Sequence, residues 1–178
     1  IGFSLYMELL ESAVDALKEG REPSLEDLTS NQTDVELRMP VLLPDDYIPD
    51  VSTRLSFYKR IASAKSDDQL EELKVELIDR FGLLPDAARN LLQSAKLRLD
   101  AMELGIRRIE GNDKSGFIEF GEKNHVDPMF LIGLLQKKPH IFRLDGPTKL
   151  KFIVDLSERK VRLEFISDLL SQFAEHRV

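Results

Sequence analysis

The sequence of 178 residues contains no cysteine, which excludes disulfide bonds and thiolate nucleophiles or metal ligands. That absence fits the reducing cytoplasm, where we expect the protein to reside. No apolar run approaches the roughly 18 residues that a membrane-spanning helix needs, so we expect no membrane partner. The opening Ile1-Gly2-Phe3 lacks an initiator methionine and a basic segment, and is therefore not a signal peptide. We expect a piece of a longer protein.

An excess of basic residues is also lacking. The chain has 32 Asp and Glu against 25 Lys and Arg, a formal net charge of -7. Surfaces that bind phosphate need clustered Lys and Arg, whereas the basic residues here are scattered among acidic ones. Direct contact with nucleic acid is therefore not expected. Net acidity suits either solubility or a basic protein partner.

The common motifs of enzymes and cofactor sites are missing as well. There is no Gly-x-x-x-x-Gly-Lys-Ser/Thr loop, no Gly-x-Gly-x-x-Gly and no Gly-x-Ser-x-Gly elbow. The three histidines, His125, His140 and His176, lie far apart and outside any metal-binding spacing. We therefore predict no catalytic, cofactor-binding or metal-binding residues in this chain.

What the sequence does contain is a well-marked amphipathic helix within residues 70–85. Its apolar stripe repeats at helical spacing and comprises Leu70, Leu73, Leu77 and Phe81. Acidic residues stand at i, i+4 and i+7 on roughly the opposite face, namely Glu72, Glu76 and Asp79. Ser66 and Gln69 have the form of a capping box before this helix, and Gly82 supplies its stop. The stripe must be buried, and the acidic face must meet water or a basic partner.

The same periodicity predicts further helices at 3–18, at about 50–64, at 85–104, at 127–136 and from 157 onward. The predicted core faces of three of them are Leu55, Tyr58, Ile61 and Ala62, then Leu91, Leu92, Ala95, Leu99 and Met102, then Val161, Phe165, Leu169, Leu170 and Phe173. Residues 35–39 alternate as a strand, 106–120 predict a hairpin, and 140–144 with 149–154 predict two more strands.

These elements predict an α+β fold, in which a layer of three consecutive helices precedes a small, mostly antiparallel sheet with flanking helices. We place a helix in residues 1–21, a polar linker at 22–33 and one domain at 34–178. Arg54 and Arg60 are expected to hold the proline-rich connector through Asp46 and Asp50.

Four stretches together resemble one known family. They are Tyr47-Ile48-Pro49-Asp50 with Arg54-Leu55 and Tyr58-Lys59-Arg60; Glu76 to Gly82 with Leu84-Pro85; Leu104-Gly105-Ile106; and the opening Ile1-Gly2-Phe3 with Leu5-Tyr6 and Leu9-Leu10. The order and spacing of the first three resemble the C-terminal domain of bacterial transcription-repair coupling factors. The opening similarly resembles the segment that directly follows the translocase motor of these proteins, so residues 1–21 are expected to follow that motor. The likeness spans nearly the whole chain.

The resemblance implies a parent that is an ATP-dependent DNA translocase of transcription-coupled nucleotide excision repair. Its ATP and magnesium would be held by motor domains, with no cofactor in this chain. The domain would be a non-catalytic regulatory module and a monomer. It would pack on the UvrB-like N-terminal module of the same protein, mask the surface that binds UvrA, and restrain the motor until RNA polymerase is engaged.

The resemblance also gives the acidic face a partner. Glu72, Glu76 and Asp79 would meet arginines of the UvrB-like module, and Arg80 would bond a partner carboxylate. The alternative is a solvated face with an i, i+4 Glu76–Arg80 pair. Two other function classes stay open. One is an accessory domain contacting DNA or RNA polymerase, using the basic residues Arg107, Arg108, Lys114, Lys149 and Lys151. The other is a small acid–base enzyme.

Overall fold

The computed structural model describes residues 33–178, so the predicted helix at 3–18 and nearly all of the predicted linker lie outside the described residues. Within this part the protein is α+β, as predicted, with five helices and a five-stranded mixed sheet. The helices are α1 (Val51–Ser63), α2 (Asp67–Phe81), α3 (Asp86–Leu104), α4 (Pro128–Lys137) and α5 (Arg159–Glu175). The strands are β1 (Asp34–Glu36), β2 (Ile106–Gly111), β3 (Ser115–Phe120), β4 (Phe142–Asp145) and β5 (Lys149–Ile153).

The sheet has the strand order β1-β2-β3-β5-β4. Strand β1 runs parallel to β2, and the other neighbouring pairs are antiparallel. The predicted hairpin is β2–β3, with a loop of residues 112–114 in which the Asn112 side chain accepts hydrogen bonds from the N–H groups of Lys114 and Ser115. The predicted strand at 35–39 is shorter than expected, since pairing ends at Glu36.

The described chain divides into two compact units. The first comprises Pro40–Lys96, and the second comprises Thr33–Met39 together with Leu97–Val178. The second unit is therefore discontinuous in sequence, because the first unit is inserted between β1 and the rest of the sheet. The predicted domain boundaries stay a prediction.

In the first unit, the capping residues that the sequence predicted determine where α1 and α2 begin. Asp50 caps α1 by accepting from the Thr53 N–H at 2.9 Å, and Ser66 caps α2 by accepting from the Gln69 N–H at 3.3 Å. The C-terminal end of α2 is held by the Tyr47 hydroxyl, which donates to the carbonyl oxygens of Leu77 at 3.1 Å and Gly82 at 2.8 Å. The connector before α1 thereby fixes the orientation of α2.

The core of this unit follows the predicted stripe of α2 and part of the predicted face of α1. Leu70, Leu73 and Leu77 are buried, and Phe81 packs against Phe57 with ring centroids 5.9 Å apart. On α1, Ile61 is buried as predicted, whereas Leu55 is 46% exposed and the prediction is wrong there. The second buried position of α1 is Phe57, which packs on Phe81.

Two other core predictions also fail. Met102 on α3 and Val161 on α5 are both exposed, at 39% and 40%. Their places in the core are taken by Leu97, Ala101 and Arg162. Both helices carry apolar residues around more than one face, so spacing alone does not choose the buried one.

The second unit buries one face of the sheet under helices and leaves the other open. The core is formed by β2, β3 and β5 together with the C-terminal part of α3, α4 and α5; its largest fully buried side chains are Phe152, Phe173, Leu104, Ile106, Ile109, Ile118, Leu150, Leu156 and Ile166. The residues between them on the strands project to the opposite, solvated side. This one-sided burial is typical of antiparallel sheets.

Arg162 of α5 is buried, with 5% of its surface exposed. Its guanidinium donates to the carbonyl oxygens of Leu156 at 3.0 Å, Leu37 at 2.7 Å and Arg38 at 3.2 Å. Arg38 has φ 54°, a left-handed conformation that non-glycine residues rarely adopt. Arg162 therefore ties the end of β1 to the body of the unit.

Candidate functional site

Helix α2 presents the predicted site residues on a regular, capped scaffold. Its buried stripe faces the core of the first unit, so the opposite side faces solvent. Glu72 and Asp79 are both exposed. They are seven residues apart, which is close to two turns of helix and about 10 Å along its axis. The two carboxylates therefore project from nearly the same side of α2, and neither forms an ion pair with the described residues.

Glu76 and Arg80 belong to a separate arrangement within the same unit. Both carboxylate oxygens of Glu76 accept from Arg60 of α1, at 2.7 and 2.8 Å. Arg80 lies 3.5 Å from the same carboxylate, which is the i, i+4 pair that the sequence indicated. The guanidinium of Arg60 lies 5.1 Å from the ring centroid of Phe57, and that of Arg80 lies 5.0 Å from the ring centroid of Phe81.

The contacts of this cluster shift the pKa values of Glu76 and Arg60. The hydrogen bond from Arg60 holds the pKa of the Glu76 carboxyl below its usual value, and the charge of Arg80 acts in the same direction. The same hydrogen bond raises the pKa of Arg60. Glu76 is thus ionised and geometrically fixed, while the two arginines keep further N–H groups for other acceptors.

The expected role in holding the connector is confirmed for Arg54, though with a backbone carbonyl as its hydrogen-bond acceptor, and is wrong for Arg60. Arg54 donates to the backbone carbonyl of Ile48 at 2.9 Å, and Arg60 binds Glu76. Neither hydrogen-bonds Asp46 or Asp50. The connector is held by backbone and hydroxyl contacts, among them the N–H of Leu43, which donates to the Tyr58 hydroxyl at 2.7 Å.

Sequence reasoning missed the contacts of Arg60 with Glu76 and with the buried ring of Phe57. Arg60 is 16 residues from Glu76 and lies on a different helix, so no local spacing connects them. Phe57 was outside the predicted core face of α1. An arginine one turn after an aromatic residue is the weak signal that could have suggested a stacked guanidinium.

The basic residues of the nucleic-acid alternative lie in the second unit and are interspersed with acids. Arg108 forms an ion pair with Glu110, its neighbour but one on β2. Lys149 lies 4.7 Å from the ring centroid of Phe117, and its cross-strand neighbours include Glu119. A continuous track of basic residues is not formed by these positions.

The acidic residues and histidines of the described part of the chain do not form a metal site. Among residues 33–178, no group of three or more His, Asp or Glu side chains is placed to hold a metal ion. The ring of His176 stacks on Phe130 with centroids 4.5 Å apart, while His125 and His140 are exposed elsewhere. In the same residues, no helix combines the length and apolar character needed to span a bilayer.

The fold matches that of a solved structure. The crystal structure of the C-terminal domain of transcription-repair coupling factor superposes with a TM-score of 0.61, covering 82% of this chain and 95% of that one at 23% identity. The fold is therefore the α+β fold of that domain.

Sequence comparison identifies the family. The chain belongs to the TRCF domain family, whose family model matches residues 37–131. It is 71% identical over 178 residues to the transcription-repair-coupling factor of Escherichia coli K12, covering 100% of this chain. It is 63% identical over 174 residues to that of Haemophilus influenzae, covering 98% of this chain. The chain spans only 16% and 15% of the length of these two relatives.

Proposed function

We propose that this chain is a regulatory interaction domain of an ATP-dependent DNA translocase that couples transcription to nucleotide excision repair. In this role it packs on the UvrB-like N-terminal module of the same protein, masks the surface that binds UvrA, and restrains the motor. The observation that carries the proposal is the charged surface of α2, with two exposed carboxylates beside the fixed cluster Arg60–Glu76–Arg80. The family membership supplies the context.

The geometry supports different roles for the charged residues of this surface. Glu72 and Asp79 are exposed carboxylates on a capped helix, without an ion-pair partner in residues 33–178, and are suited to bidentate contact with arginines. Glu76 is already bound by Arg60, so its part is to hold the two guanidinium groups in place. Arg80, stacked on Phe81, then offers N–H groups to a partner carboxylate. Side chains fixed before binding lose less entropy when the interface forms.

Charge pairs of this kind are strong enough to decide whether this domain stays packed on the N-terminal module. Removing one member of a desolvated interfacial pair costs about 2 to 5 kcal/mol, and about 1.4 kcal/mol is a tenfold change in an equilibrium constant. Loss of two such pairs would therefore shift a closed population substantially toward the open state. Opening exposes the UvrA-binding surface and releases the motor.

The test is the double substitution Glu72→Ala with Asp79→Ala in a full-length coupling factor that carries this domain. Because neither side chain has an ion-pair partner within the described chain, the domain should stay folded. We expect tighter UvrA binding and faster ATP turnover. A matched control is Glu164→Ala with Asp168→Ala, which removes two exposed carboxylates from α5. Unchanged UvrA affinity in the folded α2 variant, or the same change in the control, would refute the masking role.

A further inference from the structure

Strand β4 lies at one edge of the sheet, and its outer side pairs with no other strand of residues 33–178. The N–H of Ile153 donates to the carbonyl of Ile141 at 2.8 Å, which fixes the phase of the β4–β5 ladder. Hydrogen-bonded pairs recur at every second residue of an antiparallel ladder. Arg143, paired with Lys151, therefore bonds inward to β5, and the N–H and C=O of Leu144 point to the free side.

The open part of this edge is centred on Leu144. At the other end of β4, the N–H of Phe142 donates to the carbonyl of Lys138 at 3.0 Å, which closes that end. The side chain of Leu144 is 53% exposed, although it projects to the same side of the sheet as the buried Phe142. At Leu144, an exposed apolar side chain thus lies beside peptide groups that have no partner among the described residues.

The charges next to this edge are not balanced. Arg143 and Lys151 are directly opposite each other across β4 and β5, and the next residue in the same row is Phe117. Neither cation forms an ion pair with the described residues. Like charges at directly opposed positions destabilise a sheet.

The neighbouring row of the same open face differs, because its charges alternate in sign. From one edge to the other it reads Asp34, Arg108, Glu119, Lys149 and Asp145. The row of Arg143 and Lys151 carries a second like-charged pair at its other end, where Glu36 lies opposite Glu110. Glu110 is compensated by its ion pair with Arg108, whereas Arg143 and Lys151 have no such partner among the described residues. Local departures from favourable pairing are expected at functional positions.

Two occupants fit this edge poorly. A second copy of the chain could stack its open face on this one, related by a two-fold axis along β3. Asp34 of one copy would then lie on Asp145 of the other, and Arg108 on Lys149, so like charges would oppose each other. A nucleic acid cannot form the ladder of main-chain hydrogen bonds that the peptide groups of Leu144 offer. An extended protein segment can, and the charged residues of β4 and β5 on the open face favour an acidic one, since Arg143, Lys149 and Lys151 outnumber the single carboxylate of Asp145.

We propose that the β4 edge accepts an extended acidic segment of a partner protein as a sixth strand, with a carboxylate beside Arg143, to which Lys151 adds positive charge from β5, and an apolar residue beside Leu144. Main-chain hydrogen bonds to Leu144 provide affinity, and the alternate side chains provide selectivity. The charged residues also repel strands without complementary charge. This inference concerns the second unit and does not depend on the proposed function of α2.

The test uses the 178-residue chain and a fluorescein-labelled peptide of alternating glutamate and valine. Fluorescence anisotropy should show binding that weakens with added salt, and amide exchange should show slower exchange at the N–H of Leu144. The reference probes are a lysine–valine peptide and a single-stranded oligothymidine. Absence of peptide binding, or stronger binding of the oligothymidine, would overturn the proposal.

The variants locate the site. In R143E/K151E we expect binding about tenfold weaker or more, since exposed charge pairs contribute up to about 1 kcal/mol each and reversal adds repulsion. K59E/K65E is the matched control, because it makes the same charge change at two exposed lysines of the first unit. R143T/K151T removes the charges with residues favoured in strands, and tests the site if the reversed variant does not fold. Equal binding by the R143 variants and the K59E/K65E control would overturn the proposal.

Discussion

At the scale of single residues, Glu76 is the member of the acidic face that the domain uses internally. Its carboxylate accepts two hydrogen bonds from Arg60, and both arginines around it lie over aromatic rings. Stacking leaves the edges of the guanidinium groups free to donate. A residue that looks like one of three equivalent acids is thus the centre of an intradomain network.

This network should be visible in the pH dependence of stability. Because the pKa of Glu76 is lowered in the folded state, its contribution is complete above the usual value of 4.5 and is lost as the pH falls through the lower folded value. Glu76→Gln should therefore show a smaller loss of the free energy of unfolding between neutral and acidic pH than the unsubstituted chain. Urea unfolding at each pH measures this.

Two comparisons make that experiment specific. Arg60→Met should move the pKa of Glu76 back toward its usual value, as followed by carboxyl-carbon NMR. Glu164→Gln, at an exposed position on α5, should retain the acid dependence of the unsubstituted chain. A Glu76→Gln variant with the same acid dependence as the unsubstituted chain would contradict the role assigned to Arg60.

At the scale of elements, two glycines of the second unit have opposite environments. A Cβ on Gly116 of β3 would lie 2.2 Å from the carbonyl oxygen of Glu110 and 2.5 Å from Cζ of Phe152. A Cβ on Gly133 of α4 would meet nothing within 4 Å. The hairpin therefore requires glycine at its close approach to β2, whereas the helix does not.

The pair gives a matched prediction for the same substitution. Gly116→Ala should lower the free energy of unfolding by about 1 to 3 kcal/mol, because the clash forces the hairpin apart. Gly133→Ala should raise it by about 0.5 to 1 kcal/mol, because alanine loses less entropy in a helix. Urea unfolding of both variants checks this, and destabilisation by Gly133→Ala of the size seen at Gly116 would contradict it.

The elements whose ends depend on local chemistry were predictable from the sequence. The Ser66 cap, the Asp127 cap before Pro128, and the stop at Gly105 with φ 74° each depend on a few adjacent residues. The parallel pairing of β1 with β2 was not predicted, since the paired residues are over 70 positions apart. Strand order depends on such distant contacts, which leave no local pattern.

The candidate site was predictable to a similar degree. The acidic face of α2 followed from helical spacing, and the structure places Glu72 and Asp79 on its solvent side. The binding of Glu76 by Arg60 was not foreseen, because it depends on how α1 packs beside α2. Whether this surface meets another module stays a prediction.

At the scale of the whole molecule, the second unit is assembled from two separate segments of chain. The short segment Thr33–Met39 supplies the edge strand β1. The hydroxyl of Thr33, which is buried, donates to the carbonyl of Ile106 at 2.8 Å, and the side chain of Leu37 joins the core. Arg162 closes the other end of this segment through the carbonyls of Leu37 and Arg38.

Replacing this buried arginine should therefore destabilise the unit more than replacing a surface one. In Arg162→Met, the carbonyl groups lose their donor, and we expect a loss of about 2 to 3 kcal/mol in the free energy of unfolding. Arg162→Lys should be similarly affected, because an ammonium cannot reproduce the planar fork of donors. Chemical denaturation measures both.

The control for this prediction is Arg159→Met, one turn earlier on α5 and exposed. A surface substitution of this kind should change the free energy of unfolding by no more than about 0.5 kcal/mol. Equal effects at the two positions would show that the carbonyl contacts of Arg162 do not hold the β1 segment.

Because the second unit is built from two separate segments of the chain, its parts are synthesised at different times on the ribosome. Leu37 is made 125 residues before Arg162, the side chain that secures it. At roughly 5 to 20 residues per second, about 6 to 25 s pass between them. The inserted segment Pro40–Lys96 is synthesised within that interval, and its helices can fold before the partner strands of β1 are available. The order of translation therefore favours completion of the α2 surface before the sheet unit closes.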